Sequence, residues 1–166
     1  LGHTVYLAAP NGWLTDELAH YSNRIIQIDP SMRSISRLRR AINDIHPDIT
    51  NTFILSGGCF GTAAWKSKRM GKLFITVNNP VIYDGISKIG KVVYPILYKW
   101  LAKYSTAFLV KSDTVRNEVE TVINSEKPVL SIKNGIDFSV FDADRKYPDL
   151  RAVCGIGHNE FVIANV

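Results

Sequence analysis

Two short stretches of the sequence carry groups that can bind a polar ligand. Asn78 and Asn79 follow an apolar run, and their amides can hydrogen-bond a hydroxyl or a phosphate, although an amide cannot hold a proton as imidazole does. Ser56, Gly57 and Gly58 follow another apolar run, and backbone N–H groups at the start of a helix attract phosphate. The simpler alternatives are a turn at the asparagines and glycines that only permit a tight strand-to-helix connection. Both alternatives stay open at this point, and the sequence identifies no catalytic residue.

A second set of candidate residues follows two later apolar runs. Ser112 and Asp113 stand before a helical pattern, where these residue types serve more often as N-caps than as ligands. Asn134 and Gly135 form a turn signal, and Asp137 lies in the loop that leads away from it. Asn134 and Gly135 are therefore predicted to shape a turn, with ligand contact as the alternative.

The sequence has no pattern typical of a metal site or of a disulfide framework. The histidines match no metal-ligand spacing, and Cys59 and Cys154 lie far apart without a CxxC pair. We therefore predict no metal and no cofactor. The sparse cysteines suit a reducing compartment such as the cytoplasm.

The elements that must position these residues alternate between strand and helix patterns. Short runs rich in Val and Ile, bounded by turn residues, predict strands over residues 4–8, 25–28, 48–54, 73–77, 106–110 and 129–132. Helical spacing predicts helices over residues 35–45, over residues 58–70 with Gly71 as the stop, and from Ser112 to Ile123. This alternation predicts an open, Rossmann-like α/β fold with a mostly parallel sheet and helices on both faces. Ligands of such sheets bind beyond the carboxyl ends of the strands.

Composition and charge set limits on the class of protein. The chain has 166 residues, 46% of them apolar, which is enough for one sizeable core. Its net charge of +5 fits an anionic membrane face, a phosphorylated substrate or nucleic acid, and does not decide among them. The arginines around Arg37 are not interleaved with stacking aromatics, which disfavours nucleic acid. No apolar run reaches the roughly 18 to 20 residues of a membrane span, and no signal peptide is recognisable.

Both ends of the chain resemble interrupted elements. Leu1 and Gly2 are typical of the end of a helix, and residues 161–166 are an apolar, strand-like run that nothing follows. We therefore expect residues 1–150 to form one Rossmann-like domain without its first strand and helix. Residues 151–166 are expected to be a linker and the first strand of an absent second domain.

The ordered motifs of the chain resemble a known family. The stretches "GHTVYLAAP", "SISRLRRAINDIHPDITNT", "GTAAW", "TVNNP", "LAKYSTAFLVKSDTVRNEV" and "SIKNGIDFSVF" are similar to the N-terminal domain of family 4 glycosyltransferases, which have the GT-B fold. The resemblance covers essentially the whole chain. The most specific of these motifs is the Asn-Gly-Ile-Asp-x-x-x-Phe element that begins at Asn134.

The resemblance implies a retaining transferase that moves a sugar from a nucleotide donor, expected to be UDP-linked, without a bound metal. The N-terminal domain of such enzymes mostly binds the acceptor. The two asparagines and the Ser-Gly-Gly stretch would then form the acceptor site. The side that faces the donor and the second domain would include Ser112, Asn134, Gly135 and Asp137. The chain by itself is expected to be inactive, because the donor domain is needed to hold both substrates together.

The stretch around "RSISRLRRAINDIHPDITNT" is similar to the subgroup that builds capsular, exopolysaccharide or lipid-linked oligosaccharide chains on a polyprenyl diphosphate. That subgroup works at the cytoplasmic face of the bacterial membrane. The resemblance therefore implies a nucleotide sugar and a lipid-linked or saccharide acceptor as partners, a cytoplasmic location that includes peripheral contact with the inner membrane face, and no nucleic acid.

One segment, from Gly85 to Tyr104, is predicted to contact an anionic membrane. It combines lysines with the apolar residues Ile89, Val92, Val93, Ile96, Leu97, Trp100 and Leu101, as interfacial helices do. Pro95 is expected to kink or divide this helix. The alternative is a helix that covers the sheet and leaves its lysines in solvent.

The sequence departs from the family pattern where the family usually carries histidines. Asn51, Phe53 and Asn78 stand at these positions. The departure predicts a divergent acceptor pocket. It leaves a second class of function open, a non-catalytic module that binds a sugar or a lipid phosphate without turning it over.

Overall fold

The computed structural model describes residues 2–29, 31–136, 138, 146, 148–157 and 159–163. The chain divides into two compact units, residues 1–133 and residues 134–166. The first unit holds the sheets and the long helices. Each unit is described separately below.

The strands of the first unit overlap the apolar runs that predict them, although β1 begins at Leu7 rather than at Thr4 and ends at Ala9. They are β1 Leu7–Ala9, β2 Ile25–Gln27, β3 Ile49–Phe53, β4 Lys72–Val77, β5 Ala107–Val110 and β6 Val129–Ser131. The helices are α1 Trp13–Glu17, α2 Arg33–Ile45, α3 Ile54–Trp65, α4 Lys88–Tyr104 and α5 Asp113–Ile123, with a 3-10 helix at Ala19–Arg24. The predicted helices over residues 35–45 and from Ser112 to Ile123 are confirmed.

The strands pair in parallel in two sheets. β1 pairs with β2, and the order β3-β4-β5-β6 follows the chain in a four-stranded sheet. Each strand of the larger sheet connects to the next through a helix, and α3, α4 and α5 pack side by side. The arrangement confirms the predicted Rossmann-like α/β fold. Because all four strands point the same way, their carboxyl ends share one edge.

The core lies between the larger sheet and its helices. Leu73, Ile75 and Val77 of β4 and Phe108 of β5 are almost completely buried, as is Leu101 of α4. A strand buried on both faces is typical of the centre of a parallel sheet. The position of the carboxyl end of β4 is therefore fixed by packing.

The third helix differs from its prediction at both ends. It begins at Ile54 rather than Gly58, so residues expected to form a loop are its first turn, and it ends at Trp65 rather than Met70. The indole N–H of Trp65 donates to the carbonyl oxygen of Met70 at 2.7 Å, which closes the chain into a turn after the helix. Gly71 has φ +64°, and a Cβ there would collide with the backbone of Pro47 and Asp48. It therefore permits a close backbone approach before β4 instead of ending a helix.

The fourth helix runs through Pro95 as one element of 17 residues, so Pro95 does not divide it, and the predicted kink stays a prediction. Its N-cap is Ser87, whose hydroxyl accepts a hydrogen bond from the Gly90 N–H at 3.0 Å. Gly90 is buried before the proline, and Tyr98 and Leu101 are buried after it. Packing on both sides outweighs the roughly 3 kcal/mol that an internal proline costs. Burial also removes Leu101 from the predicted membrane-facing residues.

The second unit contains a short helix, α6 Leu150–Cys154, which overlaps the start of the predicted linker segment. Asp149 caps it by accepting a hydrogen bond from the Arg151 N–H at 2.9 Å, and Gly155 ends it at φ +67°. The Arg151 guanidinium donates to the carbonyl oxygens of Gly157 and Glu160, at 2.9 and 3.1 Å. Residues 161–163 belong to no regular element. The assignment of residues 151–166 to an absent domain stays a prediction.

Candidate functional site

The candidate site lies at the carboxyl edge of the larger sheet. Phe53, the last residue of β3, pairs in register with Thr76, and Val77 at the end of β4 pairs with Val110 at the end of β5. The segments that begin with Ile54, Asn78 and Lys111 therefore leave the sheet at neighbouring points. This register brings the two predicted acceptor stretches, and Ser112 beside them, to one edge.

Asn78 and Asn79 are both exposed at this edge. Within the part of the chain that the structure describes, neither side chain takes part in a hydrogen bond. Each amide can donate two hydrogen bonds and accept two more. The pair can therefore bind a ligand that both donates and accepts, as a hydroxyl group does.

The loop behind the asparagines is held by a residue that sequence reasoning missed. Glu118 of α5 accepts hydrogen bonds from the backbone N–H groups of Val81 and Ile82, at 3.1 and 2.7 Å. Val81 is almost completely buried, so its N–H needs a protein partner. Glu118 stands next to the buried Val119 on α5, and no local pattern in the sequence indicates its partner loop.

The Ser-Gly-Gly stretch sits within the first turns of α3. With Phe53 as the N-cap, Ser56 is the third helical residue, so its N–H is among those without a helical partner, whereas Gly57 and Gly58 lie further in. Gly58 is buried, and a Cβ there would come within 3.2 Å of Leu101 and 3.7 Å of Ile75. Gly58 thus lets α3 approach α4 and β4. The phosphate-binding role stays a prediction, in which Ser56 has the most suitable position.

Ile54 makes the turn between β3 and α3 in a strained conformation. Its φ of +58° lies in the left-handed region, which β-branched residues rarely adopt. Strain of this kind is found at functional sites more often than elsewhere. Here it allows α3 to begin directly at the end of β3, so that the first N–H groups of the helix lie at the sheet edge.

The three positions at which the resemblance implies histidines have different surroundings. The Asn51 side-chain oxygen accepts a hydrogen bond from the Thr76 hydroxyl at 2.9 Å, across β3 and β4. Phe53 is half-exposed and apolar, and Asn78 is exposed. The Asn51 oxygen therefore supports the pairing of β3 and β4, while the Asn78 side chain and the amide nitrogen of the exposed Asn51 can still bond a ligand.

The predicted donor-side residues fall in different parts of the chain. Ser112 caps α5, because its hydroxyl accepts a hydrogen bond from the Val115 N–H at 3.3 Å. Asn134 and Gly135 are exposed and begin the second compact unit. Asp137 lies outside the described residues. The contact of these residues with a donor stays a prediction.

Two groups near the site have shifted acidities. Burial, and then the nearby Glu118 carboxylate, raise the pKa of Tyr98 to about 12. Burial also raises the pKa of the Cys59 thiol. Near neutral pH both groups therefore stay protonated, so Tyr98 does not act as a base and Cys59 is a poor nucleophile.

A polar hollow of about 620 Å³ lies apart from this edge, beside β2. It is lined by Thr15, Asp16, Ala19, Ile25, Gln27 and Arg37. The Arg37 guanidinium donates to the Gln27 carbonyl oxygen at 2.6 Å, which fixes its position over the hollow. Sequence reasoning considered Arg37 only as one of the arginines that lack interleaved aromatics, and missed this arrangement.

In the ranges that the structure describes, no three His, Cys, Asp or Glu side chains lie close enough to hold a metal ion. Over the same ranges, no helix is long and apolar enough to cross a membrane.

The comparison with known protein families agrees with the fold and with the motifs. The family described as Glycosyltransferase Family 4 matches residues 1–140. The comparison with curated proteins finds no match. The family match includes β1 to β6 and the candidate edge with Ser56, Asn78 and Ser112. The chain therefore belongs to glycosyltransferase family 4.

Proposed function

We propose that this domain is the acceptor-side half of a retaining glycosyltransferase. The complete enzyme moves a sugar from a nucleotide sugar, UDP-linked in this proposal, to a lipid-linked or polysaccharide acceptor in the bacterial cytoplasm, and uses no bound metal. The observation that carries the proposal is the family match over residues 1–140, which supports glycosyl transfer in general. The donor, the acceptor and the stereochemistry are the finer part of the proposal.

The acceptor binds at the edge formed by β3 and β4. Sugar hydroxyls both donate and accept hydrogen bonds, and the side chains of Asn78 and Asn79 offer both kinds of group. A diphosphate on the acceptor would lie at the start of α3, next to the N–H of Ser56. The two asparagines thus orient the reacting hydroxyl, and α3 holds the charged carrier.

This half of the enzyme contributes binding and orientation. Holding two substrates in a reactive geometry lowers the barrier by several kcal/mol when both are held together. The proposal places the nucleotide-sugar site in a second domain. On that basis we expect the 166-residue chain alone to bind acceptor without transferring sugar.

The alternative proposal is a non-catalytic module that binds a lipid phosphate or a sugar. It is favoured by the absence of an imidazole at the family's usual histidine positions, where Asn51, Phe53 and Asn78 stand, and by the use of Asn51 to bond Thr76. Such a module would bind the same acceptor at the same edge. The two proposals differ only in turnover.

The test is an assay of the protein encoded by the complete open reading frame. We expect transfer from a panel of nucleotide sugars to a polyprenyl-diphosphate-linked sugar, with retention of the anomeric configuration shown by NMR. The double variant Asn78→Ala with Asn79→Ala should raise the acceptor KM roughly tenfold, as expected for losing about two hydrogen bonds. Asn117→Ala, an exposed asparagine on α5, is the matched control and should leave KM unchanged.

The outcomes separate the two proposals. Acceptor binding without turnover, lost in the double variant, would favour the non-catalytic module. Turnover with an unchanged acceptor KM in the double variant would show that the acceptor binds elsewhere.

A further inference from the structure

The outer face of α4 exposes a row of aliphatic side chains. Ile89, Val92 and Ile96 are 76%, 63% and 61% exposed, and Val93 beside them is 39% exposed. Their spacing of three and four residues puts all four on one side of the helix. We refer to these four residues as the α4 stripe.

The α4 stripe does not serve the fold. The opposite side of the same helix, with Gly90, Tyr98, Leu101 and Ala102, is buried against the core. A helix that only covers a sheet needs one apolar side. The second apolar side is therefore available for an external partner.

Basic side chains accompany the stripe. Lys88, Lys91, Lys99 and Lys103 are all exposed, and α4 contains no Asp or Glu. Lys88 lies one turn before Val92, and Lys99 lies one turn after Ile96, so both lysines border the apolar row. Such side chains extend their methylene stems along apolar groups while the ammonium reaches a polar phase.

An apolar groove of about 430 Å³ continues the exposed surface between α2, α3 and α4. Ile96 of the stripe lines it, together with Met32, Phe60 and Trp100. Met32 is 73% exposed at its rim. The groove extends the apolar surface beyond one helix, and contiguous apolar surface of this kind marks a protein or membrane contact.

We propose that the α4 stripe docks this domain on an anionic lipid bilayer. The aliphatic side chains enter the headgroup zone, and the bordering lysines bind lipid phosphates or carboxylates. The inference rests on the proposed function in one respect, because a lipid-linked acceptor places the substrate at a bilayer. The experiment below measures binding without any sugar transfer, so its failure is separate from a failure of the transferase proposal.

Charge favours a bilayer over a second copy of the chain as the occupant. Two copies that met through their stripes would bring identical lysine rows together, on chains that each carry a net charge of +5. Like charges placed opposite one another disfavour such a contact. An anionic bilayer instead attracts every lysine of the row.

The test is co-sedimentation of the 166-residue chain with vesicles at low salt. We expect binding to vesicles with about one third phosphatidylglycerol, little binding to pure phosphatidylcholine vesicles, and release at about 0.5 M salt, where charges are screened within a few ångströms. The triple variant Lys88→Gln, Lys99→Gln and Lys103→Gln, the last of them seven residues after Ile96 and so on the same side of α4, should weaken binding on the order of 100-fold. Ile96→Ser should weaken it about tenfold or more, because an inserted aliphatic side chain is lost.

The control is a second triple variant that loses the same number of positive charges outside α4. The exposed residues Arg40, Lys68 and Lys72 lie outside α4, and their triple change to Gln should alter binding much less. Equal losses in the two triple variants would overturn the proposed surface and leave only a general charge effect. Failure of the unchanged chain to sediment with anionic vesicles at low salt would overturn docking itself. A dimer in solution that Ile96→Ser dissociates would assign the stripe to a second copy and overturn the membrane assignment.

Discussion

The two strand ends of the candidate site are connected to their helices in different ways. β3 passes into α3 without an intervening residue, and Ile54 adopts φ +58° to make the turn. β4 instead leads into a loop over residues 78–87, and a carboxylate from a third element, Glu118, holds that loop. One side of the site is thus fixed by local backbone geometry and the other by a tertiary contact. The predictions below test each side.

The largest effect is expected from Gly61, which brings α3 close to β3. A Cβ at this position would lie on the buried Thr52 side chain, 3.5 Å from its Cβ and closer still to its Cγ2. Because Thr52 is β-branched and fixed in a strand, Gly61→Ala should lower the free energy of unfolding by about 2–3 kcal/mol. Chemical denaturation measures this change.

Gly57→Ala is the matched control in the same helix. A Cβ there would meet only Ile54, at 4.0 Å. It should raise the free energy of unfolding by roughly 0.5–1 kcal/mol, through helix propensity alone. The same sign of change at Gly57 and Gly61 would contradict the packing role given to Gly61.

On the other side of the site, Glu118→Ala removes both acceptors of the loop. We expect the free energy of unfolding to fall by about 2 kcal/mol, because the buried Val81 N–H is left without a partner. Hydrogen exchange at residues 81 and 82 should become faster. Glu118→Gln keeps one acceptor oxygen, so its free energy of unfolding should fall by about half as much. The acceptor KM of the complete enzyme should rise in both variants, since Glu118 acts by positioning the asparagines.

Glu120→Ala is the control for Glu118→Ala. Glu120 pairs with Arg116 at 2.9 Å on the same helix, but both side chains are more than 40% exposed. The free energy of unfolding of Glu120→Ala should therefore fall by no more than about 0.5 kcal/mol. A Glu118 effect as small as this would mean that the loop does not depend on the carboxylate.

A smaller effect of opposite sign is expected from Ile54→Gly. Glycine adopts positive φ without strain, so relief at the β3–α3 turn should raise the free energy of unfolding by about 0.5–1 kcal/mol, after the greater chain entropy of glycine is subtracted. Thermal denaturation measures the shift. A clear destabilisation would show that the Ile54 side chain contributes more through contacts than its backbone costs.

The last prediction is a pH dependence of the stability at Tyr98, which has no effect near neutral pH and emerges only above about pH 10. The pKa of Tyr98 is raised from about 10 in the unfolded chain to about 12 in the fold. The folded state therefore holds this proton more tightly, and the resulting stability is fully present below about pH 10 and is lost as the pH rises towards 12. Absorbance titration of tyrosinate should show one late-ionising group, absent in Tyr98→Phe and shifted downward in Glu118→Gln.

Local patterns in the sequence predict the regular parts of this fold. The six apolar runs correspond to β1 to β6, and Ser112 caps α5 as its residue type suggests. The sequence pattern predicts a start of α3 at Gly58, four residues later than the observed start at Ile54. Its true N-cap, Phe53, has no side chain that can cap a helix, so no local signal marked it.

The features that sequence patterns did not predict depend on contacts between distant residues. Glu118 reaches a loop 36 residues away, and nothing in its neighbours along the chain indicates that partner. Pro95 stays inside α4 because residues on both sides of it are buried in the core. The residue types of Asn78 and Asn79 make them candidates, but the sequence does not indicate that Glu118 holds the loop that they begin.

The hydrogen bonds of Glu118 also couple the loop over residues 78–87 to α5 thermodynamically. A ligand that binds this loop only in the shape that Glu118 holds must favour the state in which α5 is in place. By reciprocity, a change that loosens α5 weakens the binding of that ligand by the same factor. A ligand bound at Asn78 and Asn79 is therefore expected to slow hydrogen exchange along α5, beyond the residues that it contacts.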